Sequence, residues 1–360
     1  MDTDKLGQVI YEKALACGFD DCGIIPIDDM DGFQQRLQER EEKVPSSAFF
    51  YQGMGDFANI KKRFPWAKSV IIGTYWLGKY RFPPSLQGKY GKAFFLSPSN
   101  SVCKESLTAR RDFETWFKEQ GIRCEGGDQF GHPSIGPLRY AAMMAGLGII
   151  RKNNFFYTKK GSFVELVGYV IDQKAWCHHV PDIRPCAESC HLCQTHCPSG
   201  ALKGPFTMSP LECVSFITTF AKGELTPGLN DKNCSTWICG CDSCQDACPY
   251  NRQHDWNQGD AYPGLEELAP PAAARKITGA IRYIHPREGH TLYGLSYRCG
   301  RSQNIETMRR PLLRQSDVTG RRGLPYDESI FFLLYSRRRC MAGGLCFRYR
   351  CGRRIRRGCP

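Results

Sequence analysis

Two cysteine runs, about fifty residues apart, dominate the sequence. Residues 186–198 read CAESCHLCQTHCP, and residues 241–249 read CDSCQDACP. A run of closely spaced cysteines ending in Cys-Pro is typical of bacterial ferredoxins, in which the last cysteine of one run binds the cluster of the other run. The two runs therefore predict a ferredoxin-like module that holds a pair of [4Fe-4S] clusters with crossed ligation.

Two clusters require eight thiolates, and the two runs supply seven of them. The nearest further cysteine, Cys213, lies in the helix-like segment 211–220 between the runs. We assign one cluster to Cys186, Cys190, Cys193 and Cys248, and the other to Cys197, Cys213, Cys241 and Cys244. Cys234 and Cys239 adjoin the second run and are alternative ligands, and Cys186 has the least regular spacing.

Structural zinc and disulfides are the alternatives to iron-sulfur clusters. A four-cysteine zinc site pairs two C-x2-C hooks and needs no shared set of eight ligands. Disulfides belong to oxidising compartments, whereas the first residues, MDTDKLGQVI, lack the basic and apolar regions of a secretion signal. No apolar run approaches the ~18 residues of a membrane helix. We therefore favour iron-sulfur clusters in a soluble, cytoplasmic protein with no membrane partner.

The net charge of +13 is concentrated at one end of the chain. Residues 286–360 contain 17 Arg, no Lys and 5 acidic residues, whereas the remainder contains 32 basic and 31 acidic residues. No helical or strand period runs through this Arg-rich tail. One interpretation is a basic arm for RNA. We favour the other, out-of-frame translation of GC-rich sequence; both predict an irregular basic tail, and we expect no DNA partner.

Helical and extended patterns alternate through residues 1–175. Strands are predicted at 21–27, 69–76 and 163–171, and helices at 104–119 and 138–145. This alternation predicts a layered α/β (α+β) domain. Three segments follow it: the double [4Fe-4S] module at 176–262, a short helical packing segment at 263–285, and the tail at 286–360.

The order of motifs over residues 1–255 resembles that of the epoxyqueuosine reductases. The matching segments are AGLG at 145–148 with KN at 152–153, the run ending in CPSGAL, CVSFITTF at 213–220, and GCDSCQDACPYN at 240–251. That family comprises cobalamin and double [4Fe-4S] proteins of queuosine biosynthesis, related to reductive dehalogenases. The resemblance implies an oxidoreductase with two clusters and a corrinoid.

The resemblance also implies where the corrinoid binds. The expected residues are Ala145, Gly146, Leu147, Gly148, Lys152 and Asn153. Glycines permit a close approach of the backbone to a flat ligand, but Gly146 and Gly148 are equally compatible with a simple helix cap. We expect an electron donor such as a ferredoxin or flavodoxin, and a small-molecule or tRNA-borne substrate.

One departure from the family pattern concerns proton donation. Epoxyqueuosine reductases place acidic residues three positions before and three after a proline that corresponds to Pro137; this chain has Ser134 and Tyr140 there. A carboxylic acid is the natural proton donor to the alkoxide that epoxide reduction releases. We therefore assign no catalytic residue. The alternatives to the corrinoid enzyme are a ferredoxin-like electron-transfer protein without corrinoid, and an RNA-binding protein that uses the tail.

Overall fold

The part of the chain that the structure describes combines helices with one larger and two small antiparallel sheets. The structure, a computed structural model, describes residues 2–96, 104–126, 135–220, 237, 240–262 and 265. The helices are α1 Thr3–Ala16, α2 Gly32–Lys43, α3 Ala48–Gln52, α4 Gly55–Ala58, α5 Ile60–Arg63, α6 Lys92–Leu96, α7 Lys104–Glu119, α8 Leu138–Met144, α9 Leu192–Thr195, α10 Val214–Phe220 and α11 Ser243–Asp246. The strands are β1 Asp21–Pro26, β2 Ser69–Trp76, β3 Cys124–Gly126, β4 Ile149–Ile150, β5 Phe156–Tyr157, β6 Val164–Ile171, β7 Leu202–Gly204 and β8 Thr207–Met208. Short 3-10 turns lie at Ile27–Met30, Pro45–Ser47, Leu77–Lys79 and Pro210–Glu212.

The larger sheet has the strand order β1-β2-β6-β3, and every pairing in it is antiparallel. The central strand β2, SVIIGTYW, is buried along almost its whole length. Such a continuous apolar run indicates a strand that is covered on both faces, because a half-exposed strand alternates apolar and polar residues.

Two apolar cores cover the two faces of this sheet. Val70 and Ile72 of β2 pack into one core with residues of α2 and α8. Ile71, which points to the opposite face, packs with residues of α1 and α7 in the second core. The sheet is thus the middle layer between helices, and the predicted α/β (α+β) class is confirmed in its antiparallel, α+β form.

A third apolar core connects the chain after β2 with the chain after the second cysteine run. It includes Phe82 and Tyr90 from the first of these segments and Trp256, Tyr262 and Leu265 from the second. The second run is therefore held against the layered domain by apolar burial on its C-terminal side. The boundary between 1–175 and 176–262 stays a prediction.

The longer predicted elements agree closely with the structure. Strand β2 has the predicted bounds, α7 spans the predicted 104–119, and α8 ends one residue before the predicted 145. The prediction omitted α2 and the three-residue strand β3. The helical packing segment 263–285 lies outside the described residues except at Leu265, and the whole tail 286–360 lies outside them.

Candidate metal centre

The first cysteine run forms a loop followed by one helical turn. Cys190 N donates to Ala187 O at 3.0 Å, and α9 places Cys193 within the turn. Cys197 N then donates to Gln194 O at 3.2 Å. Glu188, Ser189, His191, Thr195 and His196 are exposed, and the four cysteines are half-buried. The first run therefore lies at the surface of the molecule.

The second run is built in the same way but lies deeper. Helix α11 follows Asp242, and Cys248 N donates to Gln245 O at 3.1 Å. Asp242, Gln245 and Ala247 are all less than 5% exposed. Cys213 precedes α10, and Gly240 N donates to Thr218 Oγ1 of that helix at 3.0 Å. Helix α10 is thereby tied to the start of the second run.

The thiols come together in two groups that cross between the runs. Burial raises the pKa of the Cys193 thiol, and negative charge on Cys186, Cys190 and Cys248 raises it further. Burial likewise raises the pKa of the Cys244 thiol, with further contributions from Cys241, Cys213 and Cys197. Since such an influence requires proximity, Cys193 lies near members of both runs, and so does Cys244.

These two groups have the composition that crossed ligation requires. In a cubane each cysteine binds a different iron, so the four sulfurs stand apart rather than converging on one ion. Among the described residues, no three His, Cys, Asp or Glu side chains are placed to hold a single metal ion. The donor set fits two [4Fe-4S] clusters; the individual ligands stay a prediction, and Cys234 and Cys239 lie outside the described residues.

Three consecutive residues of the layered domain contact the cysteine runs. Arg151 Nη1 donates to Cys186 Sγ at 3.6 Å. Lys152 Nζ donates to the carbonyls of Ala187, Glu188 and Cys190 at 2.6–2.9 Å. Asn153 Nδ2 donates to Cys244 O at 3.3 Å and to the Tyr157 hydroxyl at 2.8 Å. The segment 151–153 therefore supports both cysteine groups.

A buried lysine supports the second run from another direction. Lys92 Nζ lies 3.4 Å from an oxygen of Asp242 and 2.8 Å from one of Asp246, and the Lys92 side chain is 3% exposed. The Phe163 and Trp256 rings lie 4.8 and 5.2 Å from the same nitrogen. Burial raises the pKa of Asp242 to about 6, although Lys92 opposes the rise. The ion pair thus joins the second run to the third apolar core.

The residues expected to bind a corrinoid are engaged inside the protein. Ala145 is fully buried and Leu147 is 6% exposed. Gly146 has φ +76° and ends α8, and a Cβ there would lie 1.6 Å from His179 O. A Cβ on Gly148 would lie 2.1 Å from Tyr157 O. Gly146 thus ends α8 as a helix cap, and both glycines permit a close approach of the protein's own backbone.

Apolar side chains beside this segment are more accessible. Met143, Met144, Ile150, Val164 and Leu166 pack against the first core but are only partly buried. A flat macrocycle can cover such a surface without contacting the glycines. That Ala145, Gly146, Leu147, Gly148, Lys152 and Asn153 hold a corrinoid stays a prediction.

Ser134 and Tyr140 stand at the two positions where the family pattern has acidic residues, and the structure describes only Tyr140. Tyr140 is 8% exposed, packs in the first core and places its ring 5.4 Å from that of Phe33. A Cβ on Gly32 would lie 2.4 Å from the Tyr140 hydroxyl, so the side chain fills a space that the glycine leaves. These contacts are those of a core residue. Ser134 lies outside the described residues.

Sequence reasoning missed Arg151 and Lys92. Neither residue belongs to a metal-binding motif, and the side chain of a single basic residue is normally exposed to solvent. A weak signal existed for Lys92, because it stands among aromatic residues in the segment YGKAFF. For Arg151 the only signal was its position next to the Lys152-Asn153 pair of the family pattern.

Comparisons with known proteins agree with the site. A family model described as "4Fe-4S double cluster binding domain" matches residues 186–251, which contain all eight assigned cysteines. Epoxyqueuosine reductase of Bacillus subtilis is 28% identical over 300 residues, 81% of this chain and 75% of that protein. The Staphylococcus aureus epoxyqueuosine reductase is 26% identical over 272 residues, 75% of this chain and 71% of that protein.

Solved structures share the fold. A Bacillus subtilis epoxyqueuosine reductase whose catalytic loop is swung out of the active site superposes with a TM-score of 0.64 at 24% identity, covering 83% of this chain and 80% of that one. An epoxyqueuosine reductase bound to an epoxyqueuosine-modified tRNA-Tyr stem loop gives 0.63 at 23% identity, with the same coverages. In the described part of this chain, no helix is long and apolar enough to cross a membrane.

The fold and the site together define a double [4Fe-4S] protein built on a layered α+β domain. The chain is a homologue of the epoxyqueuosine reductases, and the resemblance inferred from its motifs is confirmed.

Proposed function

We propose that the protein is an oxidoreductase that passes electrons through two [4Fe-4S] clusters to a corrinoid, and that its substrate is an epoxyqueuosine-type base in tRNA. The observation that carries the proposal is the match of residues 186–251 to a double [4Fe-4S] cluster domain, on a fold shared with epoxyqueuosine reductases. The homologous proteins named epoxyqueuosine reductase support the reaction class, and the structure bound to a modified tRNA stem loop supports a tRNA-borne substrate.

The chain's own residues would bind the two clusters and hold the cysteine runs in place. The eight cysteines would hold the clusters, and Lys152 and Asn153 donate hydrogen bonds to the backbone carbonyls of Cys190 and Cys244. A bound corrinoid would supply the cobalt centre that reduces the substrate. The electron donor is a low-potential protein such as a ferredoxin or flavodoxin, and the surface position of the first run suits contact with it.

The alternative function is electron transfer without a corrinoid. Two observations favour it: the glycine segment is occupied by internal packing, and neither Ser134 nor Tyr140 carries the carboxyl group of the family pattern. Ser134 stands where the family pattern places an acidic residue, so it is the position at which the two functions are best distinguished.

The discriminating experiment is anaerobic reconstitution of the full chain with iron, sulfide and cobalamin. About eight irons and eight labile sulfides per chain, as two cubanes require, together with a corrinoid absorbance band, would support the proposal. Clusters without a corrinoid band would establish the electron-transfer alternative. Stoichiometric zinc without labile sulfide would exclude both functions.

The substrate is tested with an epoxyqueuosine-containing tRNA stem loop and mass spectrometry of the product base. We expect slow conversion by the natural chain. Ser134→Asp should accelerate it by on the order of 10²-fold, because a positioned general acid contributes at least that much. Ser134→Asn is the matched control, since it has the same shape without the acid. Equal rates for the two variants would remove the proton-donor explanation.

A further inference from the structure

Arg151 is a buried cation with no carboxylate partner among the residues that the structure describes. Its side chain is fully buried, and no carboxylate of the described residues lies within ion-pair distance of it. Nη2 donates to Arg184 O at 2.6 Å, and the guanidinium carbon lies 3.4 Å from the Tyr250 ring centroid. Nε is buried without a hydrogen-bond partner in the described part of the chain. A guanidinium in such a place needs an anionic neighbour.

The anionic neighbour is the first cysteine group, which consists of Cys186, Cys190, Cys193 and Cys248. Nη1 donates to Cys186 Sγ at 3.6 Å, and the guanidinium carbon lies 5.1 Å from the Tyr157 ring centroid. Four thiolates and a cubane carry a net negative charge, which grows by one on reduction. A fixed cation and a hydrogen bond to sulfur therefore stabilise the reduced cluster more than the oxidised one.

Among the residues that the structure describes, no buried cation without a carboxylate partner contacts the second cysteine group, Cys197, Cys213, Cys241 and Cys244. Lys92, the buried cation beside the second run, pairs with Asp242 and Asp246, so these carboxylates compensate its charge. The field of an ion pair decays faster with distance than that of an isolated charge. The two clusters, although built on the same ligand type, therefore experience different electrostatic environments.

We propose that Arg151 sets the reduction potential of the Cys186, Cys190, Cys193 and Cys248 cluster above that of the other cluster. This inference rests on the cluster assignment of the proposed function. The step is a one-electron reduction of the cluster by a low-potential donor protein, and it makes and breaks no covalent bond. An electron shared between the two cubanes would then reside mainly on the first cluster. Arg151 is a positioning residue and contacts no substrate.

The test is an EPR-monitored redox titration of the anaerobically reconstituted full chain, with dithionite as reductant. Wild type is compared with Arg151→Gln, which removes the charge, and Arg151→Lys, which keeps the charge but loses the planar donor pair. The matched control is Arg123→Gln, because Arg123 is an exposed arginine that stacks on Trp66 at 3.8 Å, away from the cysteine runs. A Cys213→Ser variant identifies the signal of the first cluster.

The proposal expects Arg151→Gln to shift the midpoint of the first cluster to a more negative potential, with the second unchanged. Arg151→Lys should give a smaller shift in the same direction, and Arg123→Gln none. Unchanged potentials at full iron content, or equal shifts of both clusters, would overturn it.

If Arg151→Gln does not assemble its cluster, Arg151→Lys decides: a wild-type midpoint overturns the proposal, and a more negative one supports it. Loss of the first cluster in both variants would assign Arg151 to assembly alone. Absence of labile sulfide from the wild type would instead remove the proposed function.

Discussion

The two cysteine runs share a ligand pattern but are supported by the protein in different ways. The first run is a surface loop, held by backbone carbonyls that accept hydrogen bonds from Lys152. The second run is embedded, with Asp242 and Gln245 buried and an ion pair to Lys92 beneath it. The difference teaches that similar motifs predict similar ligands, whereas the surrounding residues determine how stable and how accessible each cluster is.

Removal of single cysteines tests whether the two groups really cross, and it should have the largest effect. Cys248→Ala should damage the cluster of the first run although Cys248 lies in the second, and Cys213→Ala should damage the other cluster. Each variant should lose about four of eight irons, since one cubane is lost. Iron analysis and EPR of the reduced proteins measure this. If Cys213→Ala retains both signals, Cys234 or Cys239 becomes the better ligand.

Lys92→Met tests the buried support of the second run. Removing the lysine leaves Asp242 buried without its countercharge, which costs about 3–5 kcal/mol. We expect a lower anaerobic melting temperature and earlier loss of the second cluster. Lys61→Met is the matched control, because Lys61 pairs with exposed Asp28 and Asp31, and exposed pairs are worth about 0–1 kcal/mol.

The double variant Lys92→Met with Asp242→Asn should recover part of that loss, since the uncompensated carboxylate is gone. Equal melting temperatures for Lys92→Met and Lys61→Met would show that the buried ion pair contributes no more than a surface pair.

Lys152→Met tests the surface support of the first run. The loss of a charged donor to three carbonyls should cost about 1–3 kcal/mol, mostly as local opening of the loop. The first cluster should therefore bleach faster with an iron chelator, while the second keeps its wild-type rate. Lys159→Met is the control, because its partner Asp182 is 91% exposed. Faster bleaching of both clusters would contradict the separate support of the runs.

Truncation after His285 should have the smallest effect. The Arg-rich tail has no period that could bury an apolar face, so both runs should keep their iron content and the melting temperature should be nearly unchanged. Sequencing of the coding region tests the frame-change interpretation directly. Loss of strongly salt-dependent tRNA binding on truncation would instead identify the tail as an RNA arm.

Sequence reasoning reached the strong local signals. Strand β2 and helix α7 carry long, regular patterns, and their bounds were predicted almost to the residue. Strand β3 was missed because three residues carry no readable period, and its place in the sheet depends on pairing with β6.

The sequence by itself determined the chemistry of the ligands, because cysteine spacing constrains which thiols can share a cubane. Only the tertiary structure showed that Gly146 and Gly148 pack against backbone, that Arg151 donates to Cys186 Sγ, and that Lys92 is paired beneath the second run. The contacts of Arg151 and Lys92 join residues 35 to 154 positions apart. Charge compensation and burial are properties of neighbours in space, and a linear pattern of residue types does not specify them.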